Sequence, residues 1–138
     1  MERDVRQAMW RATKQRVGLS DAQMDRLGAV ARELEPRRQA LVRREREARR
    51  QLRQELASAQ PDQERTARYL GELLAVQRSR VDLMGDEQRQ LAEFMTPVQR
   101  ARYFAMQEQF RRRLEQLRPP GPPADGDAMP PRPRRRLP

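Results

Sequence analysis

Two short segments of this chain repeat one helix-start pattern. Each copy places an apolar residue before Ser or Thr, with Gln three positions after the hydroxyl residue. The two copies are Leu19-Ser20-x-x-Gln23 and Met95-Thr96-x-x-Gln99. In a capping box the hydroxyl accepts from the backbone N–H of the Gln, and the Gln side chain reaches back to the cap. The pattern therefore predicts that one helix begins after Ser20 and another after Thr96.

A long helical pattern follows the first of these motifs. From Met24 to Ala59, apolar residues recur at alternating spacings of three and four, which indicates one buried helix face. Arg38 and Glu45 interrupt that face, and Pro36 predicts a kink because it removes one helical hydrogen bond. A narrow, interrupted stripe favours contact with one neighbouring helix over burial on all sides.

The strongest break in the middle of the chain is Gln60-Pro61-Asp62. It separates predicted helices over residues 20–59 and 62–94. The apolar positions of the second helix are Ala67, Leu70, Leu74, Val81, Met84, Leu91 and Met95. A short connection between two long helices makes them antiparallel neighbours.

Two shorter helices are predicted outside this hairpin, over residues 2–16 and 97–117. The last one carries three of the six aromatic side chains and is expected to close the core. Beyond it lie most of the eleven prolines, a composition typical of disordered or polyproline-like chain. The sequence thus predicts an all-α fold with an N-terminal helix (1–18), a helical hairpin domain (19–118) and a Pro/Arg-rich tail (119–138).

Composition argues against several kinds of chemistry. The chain has no His and no Cys, so it lacks the commonest general base and metal ligand, and no Gly-rich phosphate loop or nucleophile motif is present. We therefore expect no enzyme activity, no cofactor and no metal site. Three methionines could bind a soft metal ion, but their helical spacing favours the core: Met84, Met95 and Met106. No apolar run is long enough to cross a bilayer.

Positive charge dominates the surface chemistry. The formal net charge is +10, and Lys14 is the one lysine among 30 basic residues. Such a balance favours anionic partners. The candidate partner-binding residues lie in the middle of the longest helix, and they are Arg37, Arg38, Arg43, Arg46 and Arg50. The competing interpretation is a solvated face balanced by neighbouring glutamates. Aromatic residues do not interleave with these arginines, so base stacking is not expected.

The two motifs resemble the LTxxQ motif of the Spy/CpxP family of bacterial envelope proteins. The predicted helical hairpin between them is similar to the long helices of that family. Ser20 replaces the consensus Thr in the first copy, and Met95 replaces the consensus Leu in the second. The resemblance covers about residues 17–117. It implies a long bent hairpin that pairs into a cradle-like homodimer. It also implies a periplasmic, ATP-independent stress chaperone that binds unfolded or misfolded protein segments.

Two alternatives stay open at the level of sequence. One is a periplasmic sensor or regulator, like the heavy-metal sensors of the family, which acts on a membrane signalling partner. The other is a basic coiled coil that binds nucleic acid through charge alone; this alternative is not favoured. Residues 1–17 lack the apolar stretch of a signal peptide, so the chain is cytoplasmic if Met1 is the true start.

Overall fold

A computed structural model describes residues 1–117 of the 138-residue chain. It contains four helices: α1 (Glu2–Val17), α2 (Asp21–Ala57), α3 (Gln63–Leu91) and α4 (Pro97–Leu117). Residues 1–117 include no strand, so the predicted all-α fold is confirmed. The predicted disordered tail lies outside the described residues.

Helices α2 and α3 form an antiparallel hairpin. Arg26, near the start of α2, pairs with Glu93 just beyond the end of α3 at 3.1 Å. Near the other end, Glu55 of α2 pairs with Arg65 in the first turns of α3, also at 3.1 Å. Because the start of α2 pairs with the end of α3, and the end of α2 with the start of α3, the two helices run in opposite directions. Helix α2 continues through Pro36 without interruption.

The connection between these helices is held by carboxylates. Asp62 caps α3, and its Oδ1 accepts from the backbone N–H of Arg65 at 2.8 Å. Glu55 Oε1 accepts from the backbone N–H of Asp62 at 2.7 Å. These backbone hydrogen bonds, together with the Arg65 guanidinium, hold the pKa of both carboxyl groups below the usual range. The charged forms of both side chains therefore stabilise the turn.

The core lies mainly along the seam between α2 and α3, with contributions from α1 and from both motifs. On α2 the buried face follows the predicted stripe from Met24 to Ala48. The end of the predicted stripe is not buried, because Leu56 is 60% exposed and Ala59 lies beyond the end of the helix. The core residues are Val17, Leu19, Met24, Leu27, Val30, Leu34, Leu41, Val76, Leu83, Leu91 and Met95.

Helix α3 departs from the predicted packing, because it carries two apolar stripes and not one. The stripe that faces α2 contains Val76 and Leu83, which are buried. Five of the predicted apolar positions are instead exposed: Ala67, Leu70, Leu74, Val81 and Met84. The two stripes are roughly two fifths of a turn apart around the helix, and each one by itself satisfies the three-and-four spacing. We call Leu70, Leu74 and Val81 the outer α3 stripe.

The two charged residues that interrupt the α2 stripe have partners on α3. Arg38 forms an ion pair with Glu87, whose side chain is only 8% exposed. Glu45 pairs with Arg80 across the seam and with Arg49 on its own helix. Each charge in the seam is thus compensated by its neighbour, and misaligning the helices would leave a half-buried charge unpaired.

Helix α3 ends at Leu91, three residues before the predicted end. Its last turn tightens, and the backbone N–H of Met95 donates to Leu91 O at 2.8 Å. This turn directs Met95 into the core, where it is 4% exposed. The requirement to bury the residue before the cap explains the early end.

Helix α4 closes the core less completely than its aromatic content predicts. Tyr103 and Met106 pack against the core, and burial raises the pKa of the Tyr103 hydroxyl. No residue of α4 is fully buried. Phe104 and Phe110 each leave more than two fifths of their surface exposed, so α4 presents much apolar area to the outside.

Candidate functional site

Both repeated motifs form complete capping boxes. In the first, Gln23 N–H donates to Ser20 Oγ at 3.1 Å, and Ser20 N–H donates to Gln23 Oε1 at 2.9 Å. In the second, Gln99 N–H donates to Thr96 Oγ1 at 3.2 Å, and Thr96 N–H donates to Gln99 Oε1 at 3.0 Å. The hydroxyl and the amide oxygen of each motif therefore satisfy donors at the start of α2 and of α4.

The two motifs also bind each other. Gln23 Nε2 donates to Gln99 Oε1 at 3.0 Å, although the residues are 76 positions apart. It also donates to the carbonyl of Phe94 at 2.7 Å, while Gln99 Nε2 donates to the carbonyl of Gly18 at 2.8 Å. Phe94 and Gly18 each lie two residues before the cap of their own motif. The arrangement is therefore reciprocal, and we call it the glutamine pair.

The glutamine pair uses the full hydrogen-bonding capacity of the side-chain amide. Gln23 donates twice through its NH₂ group, and its oxygen accepts from Ser20 N–H. The Gln99 amide also lies 3.4 Å from Gln23 Oε1. Glutamate caps a helix equally well but has no donor when ionised. The choice of Gln at both positions is explained by the contact between motifs, which each motif alone does not reveal.

Gly18 connects helix α1 to this pair. Its φ of +76° is in the left-handed region, where glycine carries no steric penalty. Its N–H donates to Lys14 O at 3.0 Å and ends α1. In this conformation its carbonyl accepts from Gln99, so the end of α1 and the starts of α2 and α4 meet at one point.

An apolar groove lies beside this junction, between α3 and α4. Met84 of α3 lines one side, and Pro97, Ala101 and Phe104 line the other at the spacing of one helix face. The groove has a volume of about 390 Å³. Met84 is 46% exposed and Phe104 is 42% exposed. We call it the α3–α4 groove; its charged residues are Glu87, Arg100 and Glu108.

Two of the five candidate arginines bridge the hairpin. Arg37 lies 2.9 Å from Asp86 of α3, and the guanidiniums of Arg37 and Arg89 hold the pKa of Asp86 below its usual range. Arg38 is the partner of the buried Glu87. Both side chains therefore take part in holding α2 against α3.

The other three candidate arginines are exposed on α2. Arg50 pairs with Glu47 on the same helix, and this hydrogen bond lowers the pKa of Glu47. Arg43 and Arg46 have no carboxylate within 4.0 Å among residues 1–117. None of the three lines the α3–α4 groove, so the structure separates this basic surface from the apolar groove.

The three methionines considered as soft-metal ligands have different environments. Met95 is in the core, Met106 packs against it, and Met84 lines the groove. Within the described residues there is no group of three or more His, Cys, Asp or Glu side chains that could hold a metal ion. None of the helices described here is long and apolar enough to span a membrane.

Comparisons with models of protein families, with curated proteins and with solved structures find no match to this chain. The Spy/CpxP-like interpretation therefore depends on the two motifs and on the hairpin between them.

Proposed function

We propose that this protein is a periplasmic, ATP-independent chaperone or stress adaptor of the Spy/CpxP type, which holds unfolded or misfolded segments of other proteins. The observation that carries the proposal is the exposed apolar α3–α4 groove. The resemblance of the paired motifs supplies the protein class and the periplasmic location.

The lining of the groove suits partners of variable sequence. Met84 is flexible and polarisable, so it adapts to different apolar side chains. Phe104 adds a large apolar surface that is costly to leave in water. Exposed apolar patches on soluble proteins commonly mark sites of protein contact. Transient apolar contact of this kind needs no nucleotide.

The basic surface supplies the long-range part of the proposal. Arg43 and Arg46 are exposed, and the chain carries a formal net charge of +10. Such a field raises the rate at which anionic partners are captured, in a way that salt suppresses. In this scheme the arginines attract a client and the groove retains it.

The outer α3 stripe is the surface that we assign to self-association. Leu74 is 58% exposed and Val81 is 62% exposed, and with Leu70 they follow one side of the helix. A second copy with the same stripe would cover all three residues through a two-fold interface. This accords with the homodimer that the resemblance implies.

The test is suppression of aggregation of a chemically unfolded client protein, followed by light scattering. Phe104→Ser should reduce the protection because it removes the largest apolar wall of the groove. Phe110→Ser is the matched control, since Phe110 is an equally exposed phenylalanine of α4 that does not line the groove. Equal loss in both variants would argue for general apolar contact instead of the groove.

A second variant tests the arginines. Replacing Arg43, Arg46 and Arg50 by Glu lowers the net charge by two units at each position, from +10 to +4 in total. Protection should fall most at low salt, where screening is weakest. If protection were unchanged, the arginines would be only a solvated surface. If added nucleic acid competed with the client, and its binding depended steeply on salt, the result would support the alternative of a basic coiled coil that binds nucleic acid.

A further inference from the structure

One polar group in the α3–α4 groove has no partner. Arg100 lies in the second turn of α4, and its Nε atom is buried without a hydrogen-bond acceptor anywhere in residues 1–117. The same residue lines the groove beside Met84 and Phe104. A buried N–H donor without an acceptor is unfavourable. The Arg100 side chain as a whole is partly exposed, so a rotation of its guanidinium towards an acceptor group in the groove would supply the missing partner and would be stabilised.

The other charges of the groove are already compensated. Glu87 pairs with Arg38, and Glu108 pairs with Arg111 at 2.8 Å. Arg100 takes part in no ion pair with a carboxylate of the described chain. The charge left without a counterpart in the groove is therefore positive.

The start of α4 adds to this positive charge. Helices α1, α2 and α3 each carry an acidic residue in the first turn, but α4 carries none. The start of a helix favours negative charge because its backbone N–H dipoles point outward. Arg100 near that end increases the imbalance, and a carboxylate beside Arg100 would relieve it.

From these observations we infer that the α3–α4 groove selects client segments in which a carboxylate side chain adjoins a large apolar one. The apolar side chain packs between Met84 and Phe104. The carboxylate accepts from Arg100, whose guanidinium edge presents parallel N–H donors that match its two oxygens. This inference rests on the proposed client-binding function and names the class of segment that the groove prefers.

The test compares two labelled peptides by fluorescence anisotropy on the full-length protein. One peptide has Leu-Glu-Phe at its centre, and its twin has Leu-Gln-Phe. The two side chains have nearly the same shape, but Gln is neutral and has an NH₂ donor in place of one acceptor oxygen. Binding is measured in about 1 M salt, where the screening length is about 3 Å and long-range attraction is removed. The acidic peptide should bind about 10-fold tighter or more, as expected for a charged hydrogen bond.

Arg100→Gln should abolish this preference and leave binding of the amide twin almost unchanged. Arg102→Gln is the matched control, since Arg102 is an exposed arginine of the same helix outside the groove. Circular dichroism checks that both variants keep their helices. A parent protein that binds both peptides equally, or an Arg102 variant that also loses the preference, would overturn the inference.

The two proposals fail in different ways. If aggregation is suppressed through the groove but the peptides bind equally, the client-binding function stands and the acidic preference is wrong. If neither peptide binds and aggregation is not suppressed, both are wrong.

Discussion

Replacing Gln23 by Glu separates the two roles of the motif glutamine, because the roles predict opposite signs. As a local cap, Glu is as good as Gln, and its negative charge at a helix start is favourable by about 0.3–1 kcal/mol. As a member of the glutamine pair, Gln23 needs its NH₂ group. Ionised Glu has none. A stabilised variant would support the cap alone, whereas a destabilised one would support the pair.

The structure gives the size of the loss. Gln23 donates to Phe94 O at 2.7 Å and to Gln99 Oε1 at 3.0 Å. Each hydrogen bond contributes about 0.5–1.5 kcal/mol, so the loss of two costs about 1–3 kcal/mol. The new carboxylate would also face two oxygen acceptors in a half-buried site. After allowing for the gain at the helix start, we expect Gln23→Glu to lower the free energy of unfolding by about 2 kcal/mol.

Chemical denaturation followed by circular dichroism measures this change. Gln99→Glu should behave alike because the pair is reciprocal, and Gln54→Glu, at an exposed position of α2, controls for added charge. Below about pH 4 the new carboxyl group is protonated and regains one donor, so part of the loss should be recovered. Unchanged or increased stability of Gln23→Glu at neutral pH would refute the argument.

Two glycines should respond in opposite ways to alanine. Gly71→Ala should raise the free energy of unfolding by about 0.5–1 kcal/mol, since a Cβ there meets nothing within 4 Å, whereas Gly18→Ala should lower it because φ is +76°; denaturant midpoints measure both. The lowered pKa values of Glu55 and Asp62 mean that their stabilisation is present above the unfolded pKa of about 4 and is lost as pH falls through the lowered values. The melting temperature of the parent protein should therefore fall as the pH is lowered, and that of Glu55→Gln should fall less steeply. An identical pH dependence in the two proteins would contradict a stabilising role of the turn carboxylates. If the proposed homodimer forms through the outer α3 stripe, Leu74→Arg should shift it towards monomer in sedimentation equilibrium. A variant as dimeric as the parent would exclude this stripe as the interface.

The sequence by itself determined the helices, their order and most of their ends. Caps and breaks act within a few residues, so Ser20, Thr96 and the break near Pro61 place helix starts without knowledge of the fold. The apolar stripe of α2 also predicted its buried face as far as Ala48, because one face of a long helix must be covered. The short connection made the hairpin antiparallel.

Only the tertiary structure decided which side chains meet across the chain. The spacing on α3 allowed two faces, and packing against α2 buried the one with Val76 and left the outer α3 stripe exposed. The contact between Gln23 and Gln99 needs two segments that are distant in sequence to arrive at one place, which no local pattern encodes. The unpartnered Nε of Arg100 depends on the same long-range placement of α4 beside α3. Local periodicity specifies individual helices, whereas a contact between two helices depends on the position of both. The candidate groove is lined by residues of α3 and of α4, so it follows only from the tertiary structure.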